Sequence, residues 1–150
     1  METENGMKRS LLVAGVAVAM MAAWSVGRVH GQNEMKKVVY VSSDQANYTG
    51  RVKGASMAKI WGDPDKGAHG TFTKFDPGQD SGMHTHTNDV WIVVVKGAYL
   101  YKDDAGEKRV AAGDFLRVPG GHKHWSGGDA KEGALFYEES SGKFDLIPVK

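Results

Sequence analysis

Residues 78–97 read GQDSGMHTHTNDVWIVVVKG, and residues 113–124 read GDFLRVPGGHKH. Each stretch carries a His-x-His, His84-Thr85-His86 in the first and His122-Lys123-His124 in the second, so four of the six histidines sit in two pairs. Side chains alternate faces along a β-strand, so residues i and i+2 point the same way. A His-x-His on a strand therefore aims two imidazoles into one space, and imidazole is the commonest protein metal ligand. Two such pairs brought together can hold one transition-metal ion.

Outward from these stretches the chain reads as short β runs broken by turn signals. Met57–Trp61 stops at Gly62-Asp63-Pro64, Gly70–Phe75 at Asp76-Pro77-Gly78, and Val90–Val95 at Lys96-Gly97. Ala98–Tyr101 runs into Asp103-Asp104-Ala105-Gly106, and the charges from Asp103 to Arg109 suit a solvated hairpin tip. Phe115–Val118 stops at Pro119-Gly120-Gly121, and Ala134–Tyr137 and Phe144–Ile147 close the chain. Strands at this spacing, with glycine or proline between them, predict an all-β sandwich or barrel. No segment after residue 32 has a helical period. Residues 32–56 form a polar lead-in with one expected strand at Val38–Val41, and the barrel domain is expected over residues 57–150.

Residues 1–31 look like a secretory signal. Met7-Lys8-Arg9 gives a basic start, Leu11–Trp24 is an uncharged run of 14 residues, and Val29 and Gly31 supply a small-residue cleavage site. A spanning helix needs about 20 residues, so no stable membrane span is expected after cleavage, and the protein is expected in the periplasm or outside the cell. Acids ahead of the basic start make Met7 an alternative initiator. The chain has 19 basic and 18 acidic residues. Three basic ones (Lys8, Arg9, Arg28) and two acidic ones (Glu2, Glu4) fall in the leader, which leaves the rest at net zero. No clustered basic face marks a nucleic-acid partner. Cysteine is absent, which excludes disulfides, zinc–thiolate sites, thiol catalysis and iron–sulfur clusters.

The spacing is more specific than either pair alone. Five residues separate Gly78 from His84, ten separate His86 from Gly97, and fifteen separate Gly97 from Gly113. Five more separate Gly113 from Pro119, one separates Pro119 from Gly121, and two separate Gly121 from His124. This resembles the two-motif signature of the cupin superfamily, in particular an exported, single-domain branch. The resemblance implies a small double-sheet β-barrel of the jelly-roll type. It also implies one metal site inside the barrel, with His84 and His86 from the first motif and His124 from the second.

Two positions depart from the family pattern. The first-motif glutamate falls at Val90, and the second-motif asparagine falls at Gly128. The expected site is therefore three histidines without a carboxylate. Such a set leaves a divalent ion its full charge and favours an anionic further ligand. Three-histidine sites with open positions suit catalytic zinc. They also suit iron(II), and the thiol and β-diketone dioxygenases among cupins similarly lack the acid. Manganese, nickel and copper stay open, since ligand type rarely selects among them. A metal-free barrel in which these histidines only pack is the bland alternative.

Other residues have weaker claims. His122 is a candidate fourth ligand, proton shuttle or turn residue. Asp89 reaches the site only through a bulge, and Gln79 is a candidate hydrogen-bond donor from the loop. Strand parity puts Val90, Ile92 and Val94 on the histidine side as an apolar pocket floor, with Tyr99, Tyr101 and Trp125 as pocket walls or packing residues. The expectation is a metal-binding cupin for a small-molecule ligand or substrate. Iron(II) dioxygenation of a small organic acid or carbonyl compound is the most concrete activity. A zinc-dependent hydrolase or isomerase, or a non-catalytic metal- or ligand-sensing module, is the alternative. Outer strands make a homodimer an expectation.

Overall fold

The structure, a computed structural model, describes residues 38–149. The expected signal segment lies outside the described residues. Chain contacts divide the protein into two units between Tyr40 and Val41. Of the first unit only Val38–Tyr40 are described, and they are exposed and form no strand. The strand expected at Val38–Val41 is therefore not one. Val38, Val39 and Tyr40 are exposed and have no ladder partner among the described residues, so the cross-strand pairs that hold a strand are missing there.

The second unit is all β. Its strands are β1 (Thr49–Val52), β2 (Ala55–Gly62), β3 (His69–Phe75), β4 (Asp80–Thr85), β5 (Val90–Asp103), β6 (Gly106–Ala111), β7 (Phe115–Val118), β8 (His124–Gly128), β9 (Ala134–Ser140) and β10 (Ile147–Pro148). Every pairing is antiparallel, in the order β1-β2-β3-β9-β5-β8-β4-β10, with β6 and β7 also paired to β5. No described helix is long and apolar enough to cross a membrane.

Strand β5 makes the double sheet. Its first half pairs with β9 and β7, and its second half with β8 and β6. The two runs expected at Val90–Val95 and Ala98–Tyr101 are thus one strand of 14 residues. The turn signal Lys96-Gly97 is a bulge, where register shifts between Val94 and Lys96. Gly97 is required there. It sits at φ +68°, and a Cβ on it would lie 2.3 Å from the Gly133 carbonyl oxygen. A bulge bends a strand and sharpens its twist, which lets one strand turn the corner between two sheets.

Alternation fills the interior. His69, Thr71 and Thr73 of β3, Phe136, Glu138 and Ser140 of β9, and Val90, Ile92 and Val94 of β5 are all buried. Val90, Ile92, Val94, Tyr99, Tyr101, Val110, Val118 and Phe136 belong to one core cluster. Phe136 meets Phe75 and Tyr99 edge-on, with ring centroids 5.0 and 5.1 Å apart. Each large apolar side chain buried this way contributes about 1.5–3 kcal/mol. The sequence also places the hairpin tip too broadly and the last strand too early. Glu107–Arg109 lie within β6, and Phe144–Leu146 lie outside any strand.

Candidate metal centre

His84 lies near the end of β4, His86 just beyond it, and His124 opens β8. The β4–β8 ladder pairs His84 directly with His124. One ligand atom from each of the three lies within 4.8 Å of the other two. Ring centroids are 4.3 Å apart for His84 and His124, 4.9 Å for His84 and His86, and 5.4 Å for His86 and His124.

Each imidazole is held by its Nδ1. His84 Nδ1 donates to the Gly82 carbonyl at 2.9 Å, and His124 Nδ1 to the His122 carbonyl at 2.9 Å. His86 Nδ1 donates to the Asp145 carbonyl. A carbonyl oxygen only accepts, so the proton in each ring belongs on Nδ1 and the lone pair is left on Nε2. This is how metal-binding histidines are normally oriented. His124 Nε2 is buried with no hydrogen-bond partner. A buried polar atom left bare costs about 1–3 kcal/mol. A metal ion on the three Nε2 atoms would remove that cost, so the residues present fit the ion that the resemblance implies.

Burial keeps the rings neutral. It lowers the pKa of His84 and His86, partly offset by their carbonyl partners. It lowers His124 to about 4, with His84 and His86 adding to the shift. The cluster is thus three neutral donors at neutral pH.

The C-terminal segment straps the first pair in place. The Asp145 carboxylate accepts from Thr87 N at 2.9 Å and from Thr87 Oγ1, while its carbonyl takes His86. Beyond it, Ile147 and Pro148 pair with Thr85 and His84. Sequence reasoning missed this strap.

The weaker candidates lie elsewhere. His122 turns outward, and its Nε2 is 3.0 Å from Asp103 Oδ2. Asp103 is held at about 2 by His122 first and by the Tyr101 hydroxyl next. Asp89 accepts from Arg117 at 2.6 Å and from Gly120 N at 2.9 Å, so it braces the loop before His124 and does not face the cluster. The Gln79 amide reaches only the Asp80 carbonyl, at 3.4 Å. Trp125 alternates to the outer face, where its Nε1 donates to Asp80 at 2.7 Å. Tyr101 stacks on His124, with centroids 5.5 Å apart.

A cavity of about 40 Å³ opens beside His84 and His86. A water needs about 10–15 Å³ on this scale, so a few waters or a small organic molecule fit. Met57, Phe75, Phe144 and Leu146 give it apolar walls, and Thr73, Tyr99, Ser126 and Glu138 give it polar ones. Tyr99 is among the lining residues. Val90 and Ile92 are not among the lining residues, because they pack into the core with Val118 and Phe136.

Glu138 is the residue the sequence reading overlooked. It is 7% exposed, and its Oε1 has no partner. Burial raises its pKa to about 7. Alternation could have found it, since Glu138 follows the inward Phe136 by two positions on β9.

A family profile described as "Cupin domain" matches residues 71–138. That span includes strands of both sheets, from β3 to β9, and all three histidines. No curated protein matches the chain significantly. Among solved structures, the polyketide cyclase RemF from Streptomyces resistomycificus is similar with a TM-score of 0.63 and 17% identity, over 76% of this chain and 87% of its own. KdgF from Halomonas sp. is similar with a TM-score of 0.59 and 21% identity, over 72% of this chain and 97% of its own. An RmlC-like cupin from Shewanella frigidimarina NCIMB 400 gives 0.56 and 20%, over 70% and 92%. At these identities the likeness is one of fold. Profile, topology and the register of the two histidine motifs agree: the chain carries a cupin domain, matched over residues 71–138.

Proposed function

We propose that this protein is an exported metal-dependent cupin that dioxygenates a small organic acid or carbonyl compound, with iron(II) held by His84, His86 and His124. The observation that carries the reading is the donor set. Three imidazoles are each fixed through Nδ1, converge within 4.8 Å, and have valine at the position of the family's acid. Neutral donors leave the ion's charge uncompensated, so an anionic ligand is favoured. Bound iron(II) would supply the Lewis acidity and electron transfer for adding both atoms of dioxygen to such a ligand.

The protein's own share is binding and shielding. Met57, Phe75, Phe144 and Leu146 exclude bulk water from the cavity. The Asp145 strap holds His86, and Tyr101 packs against His124. The cavity's small volume selects a ligand of a few heavy atoms. Export rests on the basic start and short uncharged run at the N-terminus.

The test is metal analysis of protein expressed with iron and zinc supplied, followed by oxygen uptake with small oxo and hydroxy acids and β-diketones. Bound iron with ligand-dependent oxygen consumption supports the reading. Bound zinc without turnover would instead favour the binding-module alternative.

A further inference from the structure

Glu138 enters the cavity from the sheet opposite the metal ligands. It sits on β9, whereas His84 and His124 come from β4 and β8. Its ladder neighbours are Thr71 on β3 and Ile92 on β5. Thr71 Oγ1 lies 3.3 Å from Thr73 Oγ1, and isoleucine offers no hydrogen bond. Glu138 therefore lines a cavity, and its Oε1 is buried with no protein partner. A fold that had no use for a carboxyl here would gain from an apolar residue.

We propose that Glu138 is the second recognition point of this cavity, so that an acid anchored on the metal held by His84, His86 and His124 also presents a hydroxyl or carbonyl oxygen to the Glu138 carboxyl. The inference rests on the metal-site reading and narrows its ligand class to small hydroxy or oxo monocarboxylic acids. A second carboxylate at the Glu138 end is disfavoured. Among the described lining residues the one cation is Arg51, which is already paired with Asp65 at 2.8 Å. A dicarboxylate would bring a buried negative charge against an acid with no cation to balance it.

The charged and titratable groups around Glu138 are consistent with this. His69 lies diagonally on β3, and Tyr99, His84, His86 and Arg51 line the cavity with it. Tyr99 is pushed up by burial first, with Glu138 adding to the shift. Glu138 itself is raised to about 7 by burial, so near neutral pH two forms coexist: a protonated one that can donate to a ligand oxygen and an ionised one that repels a second carboxylate.

The test uses zinc-loaded full-length protein, which makes the readout independent of turnover. Calorimetry compares lactate, glycerate and tartronate, which share a 2-hydroxy acid head and differ only in a methyl, a hydroxymethyl or a carboxylate at the third carbon. Wild type is expected to bind glycerate about tenfold tighter than lactate, as one added hydrogen bond allows, and to bind tartronate most weakly. Glu138→Leu should erase the glycerate preference while keeping zinc and lactate. Glu138→Gln, which preserves shape and hydrogen bonding, should keep the preference and relieve the tartronate penalty.

A second measurement covers a leucine variant that fails to fold. Affinity of wild type for all three anions should fall about tenfold between pH 6 and 8 as the carboxyl ionises, beyond any fall in Glu138→Gln. Retained zinc and lactate with an unchanged glycerate preference in Glu138→Leu overturns the inference, as does an identical pH response in wild type and Glu138→Gln. Zinc-loaded wild type that binds none of the three acids overturns the ligand class. Wild type that takes no zinc overturns the metal-site reading first, and this inference with it.

Discussion

The two His-x-His pairs look equivalent in sequence and behave differently in the fold. His84 and His86 both face the cluster, joined by extended backbone at the end of β4. In the second pair only His124 does. His122 follows a turn in which Gly121 has φ +76° and His122 N donates to the Pro119 carbonyl. Gly120 is packed so closely that a Cβ would lie 2.5 Å from the Thr87 carbonyl oxygen. That turn breaks the alternation on which a His-x-His argument depends, and it sends the His122 ring to Asp103. His122 contributes through its backbone instead, since its carbonyl holds His124 Nδ1. A ligand pair is thus a property of extended backbone, not of spacing alone.

The sharpest way to break this contrast is to remove one ring from each side. His124→Ala should abolish metal retention. His122→Ala should keep the metal, with affinity within about twofold, because the carbonyl that orients His124 survives. Equal loss in both variants, by elemental analysis, would put His122 back among the ligands.

The next effect concerns pH in the metal-free protein. The folded state disfavours charge on all three histidines, and His124 falls from 6.5 to about 4. The unfolded chain therefore binds more protons between about pH 4 and 6.5, so stability is full above that window and is lost as pH falls through it. His124 alone accounts for a loss on the order of 3 kcal/mol. Denaturant midpoints of the metal-free protein should drop across this window, and His124→Phe should flatten the drop. Glu138 acts with the opposite sign. Its folded pKa is raised from 4.5 to about 7, so its contribution weakens as pH rises through that range. Glu138→Gln should gain stability relative to wild type at pH 8 and not at pH 4, as read from thermal midpoints. An equal shift at both pH values would contradict a buried, proton-binding Glu138.

Asp145→Ala is a smaller perturbation. It removes the bonds to Thr87 but keeps the carbonyl that holds His86. Metal affinity should weaken about tenfold, as for other groups that orient ligands from behind. Unchanged affinity by competition with a chelator would show that the strap does not orient His86.

Much of the centre was legible in the sequence because its geometry is written in spacing. Gly78, Gly97, Gly113 and Pro119 fix the turns, and with them the register that brings His84 opposite His124. The strap was not legible, since Asp145 reaches His86 through a backbone carbonyl that no side-chain pattern reports. Strand parity puts Val90 and Ile92 on one face and both are buried, but parity does not say which neighbours cover them, and Val118 and Phe136 do. Glu138 lay outside both motifs, so alternation along Phe136-Tyr137-Glu138 was the one signal for it.

The most direct test of the central claim is the metal content of wild type, His124→Ala and His122→Ala, purified after expression with iron and zinc supplied. The structure predicts about one ion per chain in wild type and His122→Ala, and almost none in His124→Ala. Wild-type protein carrying less than about one-tenth of an ion per chain would contradict it.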